Sequence, residues 1–440
     1  MKIRLFLSCL ALFGCLVSAT ACGKDDGSGT DAPTPPTPPE IPGSGDMRVR
    51  RACENLFSTS NLDAGHDIVY WFKSCLFNQL YTFYRVGLID NKEEAVSDPL
   101  KEPTTVLNLA YSDNIGPFAV SGNGWCGANH SYKEGGTVRT AATERYSIAV
   151  NGVQPTSGVL MKADSVTVDV VNVIYDPSRP LEGGALVDPL CRETVHYRIQ
   201  GGNIEVQVSH AFCPVVPVTV DRYYGMQSMF EGETHTFTSA GAYTDWTPQA
   251  GVSRFKKGDY PDFRRYVEKN AKAYQSAYLL REGLGDHAMV SDGGDVFIGN
   301  SSNKTYHWLI ASKRFSNGDK TSWRGVYTWF TEALADDDDL LCYEGMVGGR
   351  RALFIDAKQA CSRTLELPEG YDTAAFEVSD ASGSPQVAAE GERALQVTSS
   401  GVGGRVLPFG AAQQEGTAGG ADGQQLGTAR NGANRHTARA

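Results

Sequence analysis

The chain has 440 residues and a formal net charge of −11. This acidic balance disfavours nucleic acid as a partner, because phosphate backbones are bound by clustered lysine and arginine. Aromatic residues make up 10% of the chain and glycine occurs 48 times. Abundant rings and turn residues are typical of a β-rich secreted protein, so we expect such a protein and no nucleic-acid partner.

The first 21 residues have the pattern of a secretory signal. Lys2 and Arg4 precede an apolar run that ends in small residues directly before Cys22. The run is short for a membrane span, which needs about 20 strongly apolar residues. The segment resembles the lipobox of bacterial lipoproteins, with Ala19 where that family usually has Leu. The resemblance implies that residues 1–21 are removed and that Cys22 becomes a lipidated N-terminus.

The residues after Cys22 carry a second resemblance. Cys22, Lys24, Asp25 and Asp26 form a Cys-x-Lys-Asp-Asp pattern. It resembles the surface-export signal of lipoproteins in the Bacteroidota, and the alternative is an ordinary acidic linker. The resemblance implies anchoring in the outer membrane, facing the outside, with the membrane as a partner through the lipid. Prolines concentrated just before residue 43 favour extended polyproline geometry, so residues 22–45 are predicted to be a semi-rigid tether.

The remaining cysteines limit the covalent framework. After the signal and Cys22 are set aside, they are Cys53, Cys75, Cys126, Cys191, Cys213, Cys342 and Cys361. Because seven is odd, at least one thiol is unpaired or pairs between chains. No Cys-x-x-Cys pair occurs, which disfavours a structural zinc site.

Residues 46–370 are predicted to form one large β domain. Alternating apolar side chains predict strands within residues 137–150 and 166–175. The clearest hairpin runs from Glu193 to His210 around a glycine-rich turn. In that register the cysteines at positions 191 and 213 point to opposite faces, so we predict that they do not bond to each other.

Other segments are less regular. Residues 62–88 leave helix and strand open, and residues 259–280 predict one short helix because Asp and Pro stand at their head. Residues 371–410 are predicted to be closing strands or a small β module. Residues 411–440 contain no aromatic residue, Val or Ile and are predicted to be a disordered tail.

The predicted fold class is mainly β, with a large two-sheet sandwich. Many strands over about 360 residues fit such an assembly. A supersandwich like that of galactose-mutarotase-type domains is the preferred form because it fits the length, and a jelly-roll-like sandwich is the alternative. This is an analogy of shape, and fold does not determine function.

Two polar-aromatic clusters supply the candidate catalytic residues. Asn129, His130 and Tyr132 lie in a glycine-containing segment that predicts a loop, and Tyr224 follows the hairpin. A His near a Tyr and an Asn can act as base, acid and charge neutraliser. The alternatives are a loop whose His caps backbone groups and, around Tyr224, a bulged core strand.

The candidate substrate-binding residues combine rings with hydrogen-bonding groups. They are Gln227, His287, His307, Trp308, Trp323 and Arg324. Alternation places Trp323, Tyr327 and Trp329 on one face of a strand and Arg324 on the other. The aromatic face is either a glycan platform or core, and core is the preferred interpretation.

Three reaction schemes can be compared. Glycoside hydrolysis needs two carboxylates at a defined separation, and no spacing of acids selects a pair. β-Elimination needs a base beside the C5 proton of a uronate and a group that neutralises the carboxylate, which His130, Tyr132, Tyr224 and Asn129 supply as residue types. Esterase chemistry would need a Gly-x-Ser-x-Gly elbow, which does not occur.

No cofactor is predicted, although Asp336 to Asp339 form an acidic run that suits calcium. The run lacks the spaced ligands of an EF-hand loop, so a solvated turn is the preferred interpretation. The sequence thus predicts an outer-membrane surface lipoprotein that binds and processes a complex polysaccharide, with elimination ahead of hydrolysis. The alternatives are a glycan-binding lipoprotein without catalysis and a structural or adhesive surface protein.

Overall fold

A computed structural model describes residues 45–109, 117–238, 246–248, 265–280, 304–310, 312–376 and 385–410, and the backbone alone at 252–256 and 297–301. The predicted signal, Cys22, most of the tether, His287 and the predicted tail lie outside these residues. No helix within the described ranges is long and apolar enough to cross a membrane.

The described residues form 29 strands and one short 3-10 helix at Thr373–Ala375. The earlier strands are β1 Met47–Ala52, β2 Asn55–Asp63, β3 His66–Cys75, β4 Leu80–Asp90, β5 Thr105–Leu109, β6 Phe118–Val120, β7 Gly124–Cys126, β8 Ala141–Val150, β9 Leu160–Ala163, β10 Val166–Tyr175, β11 Pro189–Gln200, β12 Asn203–Phe212, β13 Val218–Ser228 and β14 His235–Thr238. The later strands are β15 Thr247–Pro248, β16 Val252–Lys256, β17 Arg265–Lys269, β18 Tyr274–Leu279, β19 Phe297–Ser301, β20 Lys304–Ile310, β21 Lys313–Phe315, β22 Lys320–Phe330, β23 Ala335–Asp336, β24 Leu340–Val347, β25 Arg350–Ala357, β26 Cys361–Glu366, β27 Gln386–Ala389, β28 Ala394–Ser399 and β29 Gly403–Phe409.

Three large antiparallel sheets form the main body. Their strand orders are β5-β4-β3-β2-β1-β9, β15-β14-β17-β18-β22-β12-β11-β10-β8 and β16-β19-β20-β13-β6-β7, with β21 paired to β13. The six- and seven-stranded sheets adjoin where Asn108 bridges Phe230. Both contribute to one hydrophobic core with the nine-stranded sheet. The prediction of a mainly β sandwich is confirmed.

The six- and seven-stranded sheets together form one layer of this sandwich, and the nine-stranded sheet forms the other. Aromatic side chains join the two layers. Phe72 of the six-stranded sheet meets Tyr197 of the nine-stranded sheet with ring centroids 5.4 Å apart. Phe118 of the seven-stranded sheet meets Phe212 at 5.8 Å. Each large buried ring removes about 150–250 Å² from water, so these contacts fix which sheet faces are internal.

The predicted hairpin is confirmed as β11 and β12. The two strands pair without a register shift from Gln200 opposite Asn203 to Cys191 opposite Phe212. The turn needs glycine, since Gly201 has a φ of 54°. Cys191 and Cys213 are not bonded to each other, as the register predicts.

The predicted helix is wrong over residues 265–280, which form β17 and β18. Asn270 closes the turn between them, because its side-chain oxygen accepts hydrogen bonds from the backbone N–H groups of Lys272 and Ala273. Both strands are buried on both faces, so they lack the alternation that marks a strand in sequence. Residues 62–88, left open between helix and strand, contain β3 and most of β4.

The later strands build a second, smaller core. The four-stranded sheet, in the order β23-β24-β25-β29, packs against the nine-stranded sheet on one side and against the three-stranded sheet β26-β28-β27 on the other. The core between these two small sheets draws on residues from Leu340 to Phe409. It therefore includes residues on both sides of the predicted boundary at residue 371.

Candidate glycan-binding surface

The outer face of the seven-stranded sheet carries an aromatic cluster, which we call the aromatic surface. Its members lie on neighbouring strands or just after them, and they are Trp125, His130, Tyr224, Tyr306 and Trp308. Trp308 lies directly opposite Tyr224 in the pairing of β13 with β20. The alternate residues Tyr223 and Leu309 point into the main core, so the period of the strands places the cluster on the outside.

The rings of the aromatic surface form a continuous chain of contacts. The Tyr224 ring stacks on Tyr306 with centroids 4.3 Å apart, and meets Trp308 edge-on at 5.4 Å. On its other side Tyr224 lies 5.2 Å from Trp125, which in turn stacks on His130 at 5.3 Å. Trp125, His130 and Tyr224 are half-buried, whereas Tyr306 and Trp308 are buried. Half-buried rings leave an apolar surface that a sugar ring can cover.

Charged groups border the aromatic surface. The exposed guanidinium of Arg222 lies over the Trp308 ring at 5.1 Å. His130 Nδ1 is 2.6 Å from a carboxylate oxygen of Glu134. A few polar groups beside apolar rings are the usual composition of a ligand site. The sequence singled out neither Arg222 nor Glu134, because their place at this surface depends on strand pairing and loop folding.

Buried Asn78 holds the loop that carries His130. Its side-chain amide donates hydrogen bonds to the carbonyl oxygens of Ala128 and His130, at 2.8 and 3.0 Å. Its side-chain oxygen accepts the backbone N–H of Thr140 at 2.9 Å. Ala128 has a φ of 41°, a conformation that needs such support. Asn78 is thus a positioning residue that sequence reasoning missed.

Only two of the four candidate catalytic residues come together. His130 and Tyr224 both contact the Trp125 ring. Asn129 accepts the backbone N–H of Phe77 at 2.8 Å, and Tyr132 packs under Lys133 at 5.1 Å. Asn129 therefore supports the loop.

The candidate substrate-binding residues separate into different environments. Trp308 belongs to the aromatic surface, whereas Arg324 is exposed on the nine-stranded sheet. Gln227, His307 and Trp323 are each at most 1% exposed. These three side chains are buried and do not lie at a ligand surface as the sequence predicted, because their strands direct them inward.

Two of these buried residues, Trp323 and Gln227, form hydrogen bonds within the core. Trp323 donates from its indole nitrogen to the Tyr223 hydroxyl at 2.7 Å, so the core interpretation of its face is the right one. Met226 has a φ of 49° and the pairing of β13 shifts register beside it. The carbonyl of Gln227 accepts the Tyr327 hydroxyl at 2.9 Å. The segment around Tyr224 is thus a bulged strand with one aromatic side chain outside.

The acidic run at 336–339 is an ion-pair centre and a turn. Asp336 accepts hydrogen bonds from Lys269 and Lys358, at 2.8 and 2.9 Å, and from the Trp246 indole. Asp337 caps the turn by accepting two backbone N–H groups. Among the described residues, no group of three or more His, Cys, Asp or Glu side chains is arranged to hold a metal ion.

Asp336→Ala is expected to lower the free energy of unfolding by about 1–3 kcal/mol, because it removes the partner of buried Lys358. Burial raises the pKa of Asp336, but the hydrogen bonds from Lys269, Trp246 and Lys358 outweigh burial and lower the pKa to about 2. The stabilisation is therefore complete above the ordinary pKa of 3.8 and is lost as the pH falls through about 2. Urea unfolding across that range measures both effects. Asp338→Ala, at an exposed position of the same turn, is the control, and equal losses from both variants would contradict the assignment.

No family model matches the sequence, and no curated protein does. Solved structures to which this chain is similar include the GH36 α-galactosidase AgaA from Geobacillus stearothermophilus, at TM-score 0.34 and 10% identity over 66% of this chain and 41% of that one. A putative aldose 1-epimerase from Klebsiella pneumoniae has TM-score 0.29 and 8% identity over 63% and 84%. Heparan sulfate lyase HepC from Pedobacter heparinus has TM-score 0.30 and 7% identity over 70% and 41%. The chain thus spans about two fifths of the α-galactosidase and the lyase, and by their names the three proteins are carbohydrate-active.

Proposed function

We propose that the protein binds a polysaccharide along the aromatic surface, anchored by a lipid on Cys22 at the outside of the outer membrane. The row of half-buried rings formed by His130, Trp125 and Tyr224, backed by the buried rings of Tyr306 and Trp308, carries this proposal. The anchoring rests on the lipobox and export patterns of the sequence. A polysaccharide suits the row because its sugar rings can pack on the exposed parts of neighbouring half-buried rings.

The chemistry of the surface supports a sugar ligand over an apolar one. Aromatic faces attract the C–H faces of sugars, while border groups bond the hydroxyls. Arg222 and Glu134 supply a donor and an acceptor at the edges of the row. Since these polar groups border the rings, an apolar protein partner would leave the charges without hydration.

Processing of the bound glycan by β-elimination is the second candidate, and the pair of His130 with Glu134 favours it. A carboxylate bonded to Nδ1 orients the imidazole, so that Nε2 is the nitrogen that would take the proton. In elimination the base takes the C5 proton of a uronate, the C4=C5 double bond forms, and the C4–oxygen bond breaks as the departing oxygen is protonated. Tyr224 shares the Trp125 ring with His130 and is the candidate acid.

A panel of neutral and acidic polysaccharides tests both candidates on the purified full-length protein. Retardation in polysaccharide-containing gels reports binding, and absorbance of unsaturated uronates and release of reducing ends report elimination and hydrolysis. Retardation without product leaves a binding protein. Absence of retardation and product with every polysaccharide would contradict the proposal and favour a structural or adhesive role.

Trp125→Ala is expected to weaken polysaccharide binding by about tenfold or more, because a central tryptophan contributes about 1.4 kcal/mol or more to an interface. Affinity gel electrophoresis measures the change. Trp71→Ala is the matched control, since Trp71 is half-buried on the six-stranded sheet. If Trp125→Ala binds as well as the wild type and Trp71→Ala binds more weakly, the binding site lies on the six-stranded sheet instead.

A further inference from the structure

The outer face of the nine-stranded sheet carries a row of polar side chains on its central strands. Asp169 lies opposite His196, His196 opposite Gln207, and Gln207 opposite Arg324. Directly opposite residues have Cβ atoms about 4.5–5.5 Å apart. The four side chains therefore stand next to one another across β10, β11, β12 and β22. We call this set the polar row.

A groove follows the polar row. Thr194, His196, Gln207 and Ser209 line a hollow of about 260 Å³. A second, smaller hollow of about 30 Å³ continues it, lined by His196, Arg198, Glu205, Gln207, Leu280 and Arg324. The first volume alone is close to the lower end of the range of about 300–1,000 Å³ that is typical of small-ligand sites. The groove is thus large enough to hold part of an oligosaccharide.

Charge is distributed unevenly along the groove. Arg324 is an exposed cation at one end of the polar row, and Asp169 lies at the other end. Asp169 accepts a hydrogen bond from His196 Nδ1 at 2.7 Å, which orients the ring. Glu205 accepts the backbone N–H of Gly349 at 3.0 Å. Arg324 and Gln207 therefore place their donors at the end of the row opposite Asp169, whereas His196 is bonded to that carboxylate. Glu205 lines the same hollow as Arg324.

We propose that this groove binds a carboxylate-bearing saccharide, with the carboxylate held between Arg324 and Gln207. A guanidinium and an amide offer the parallel N–H donors that a carboxylate accepts, and His196 bonds a neighbouring hydroxyl. The site is separate from the aromatic surface, because the two lie on the outer faces of opposite layers of the sandwich. It extends the proposed function, since it gives the protein a second and chemically different sugar contact.

The negative net charge of the protein restricts where an acidic saccharide can bind. At −11 the chain as a whole repels anions. An acidic saccharide that binds at physiological salt must therefore use a local cationic site. Exposed Arg324 supplies this cation, while Arg198 of the same hollow is buried opposite Glu205.

The test uses isothermal titration calorimetry of the full-length protein. The ligands are a galacturonate oligosaccharide and the same oligosaccharide after its carboxylates have been reduced to neutral alcohols. Binding of the first is expected, with affinity at least about tenfold lower for the second. Arg324→Gln is expected to weaken galacturonate binding by about tenfold or more, since it removes a charge-assisted hydrogen bond. Gln207→Ala is expected to weaken it less.

Two control variants locate the site. Arg314→Gln removes the same charge at an exposed position of β21, and Trp71→Ala removes a half-buried ring of the six-stranded sheet. Both are expected to bind the galacturonate oligosaccharide as the wild type does, with unchanged urea midpoints showing that all variants fold. Undetectable galacturonate binding, equal losses in Arg324→Gln and Arg314→Gln, or wild-type binding by Arg324→Gln would overturn the proposal.

Discussion

Asp356→Ala is expected to lower the free energy of unfolding by about 3–5 kcal/mol. Asp356 forms an ion pair with Arg265, and the two side chains are 0% and 1% exposed. The pair joins β25 of the four-stranded sheet to β17 of the nine-stranded sheet. The Arg265 guanidinium also lies over the rings of Tyr278 and Phe354, at 5.6 and 5.4 Å. Removing the carboxylate leaves a cation in an apolar interior, which is costly.

Urea unfolding of the wild type and the variant measures this effect. Arg265→Met combined with Asp356→Leu is expected to recover most of the loss, because apolar side chains of similar volume replace both charges. Arg351→Ala breaks an exposed pair between Arg351 of β25 and Glu344 of β24, and it is expected to cost about 1 kcal/mol or less. A double variant less stable than Asp356→Ala alone would contradict this account of the pair.

Glu193→Ala is expected to destabilise the protein by about 2–4 kcal/mol, because it breaks a buried hydrogen-bonded row. Asn172 donates to Glu193 Oε1 at 2.9 Å, and His210 Nε2 is 3.1 Å from Glu193 Oε2. The row continues from His210 to Thr321 at 2.9 Å and from Asn172 to Thr143 at 2.7 Å. It crosses five strands on the core face of the nine-stranded sheet. Alanine leaves two donors without their acceptor and creates a cavity.

Chemical denaturation again provides the measurement. Glu193→Gln keeps the volume and an acceptor, and it is expected to lose less than half as much as Glu193→Ala. Glu144→Ala removes an exposed partner of Arg192 in the same sheet and is expected to cost about 1 kcal/mol or less. A Glu193→Ala midpoint within experimental error of the wild type would show that the row contributes no net stability.

The parts of the fold that the sequence predicts are those with one buried and one exposed face. β12 alternates strictly, and β11 alternates from Cys191 to Tyr197, because their odd and even residues meet different environments. β17 and β18 are buried on both faces, and their apolar residues fit a helical spacing equally well. Their turn depends on the side chain of Asn270, which is only one polar residue among several. Short-range pattern therefore fails where burial is two-sided.

The sequence indicated several of the aromatic residues of the candidate site, but it did not show which of them come together. Alternation shows that Trp323 and Arg324 face opposite ways, but it cannot show which face is buried. The contacts of Trp125, Tyr224 and Trp308 depend on the pairing of β13 with β6 and β20. Those pairings join segments about 100 residues apart along the chain, a separation that local residue patterns do not encode. The role of Asn78 could not be predicted for the same reason, since the loop that it holds is some 50 residues away along the chain.

Hydroxyl-radical footprinting tests the central claim most directly. The full-length protein is oxidised with and without the polysaccharide that retards it most in gels, and labelling is read at Trp125, Tyr224 and Trp71 by mass spectrometry. The aromatic surface as the binding site predicts protection of the half-buried Trp125 and Tyr224, with Trp71 unchanged. Bound polysaccharide that leaves the oxidation of Trp125 and Tyr224 unaltered would contradict it.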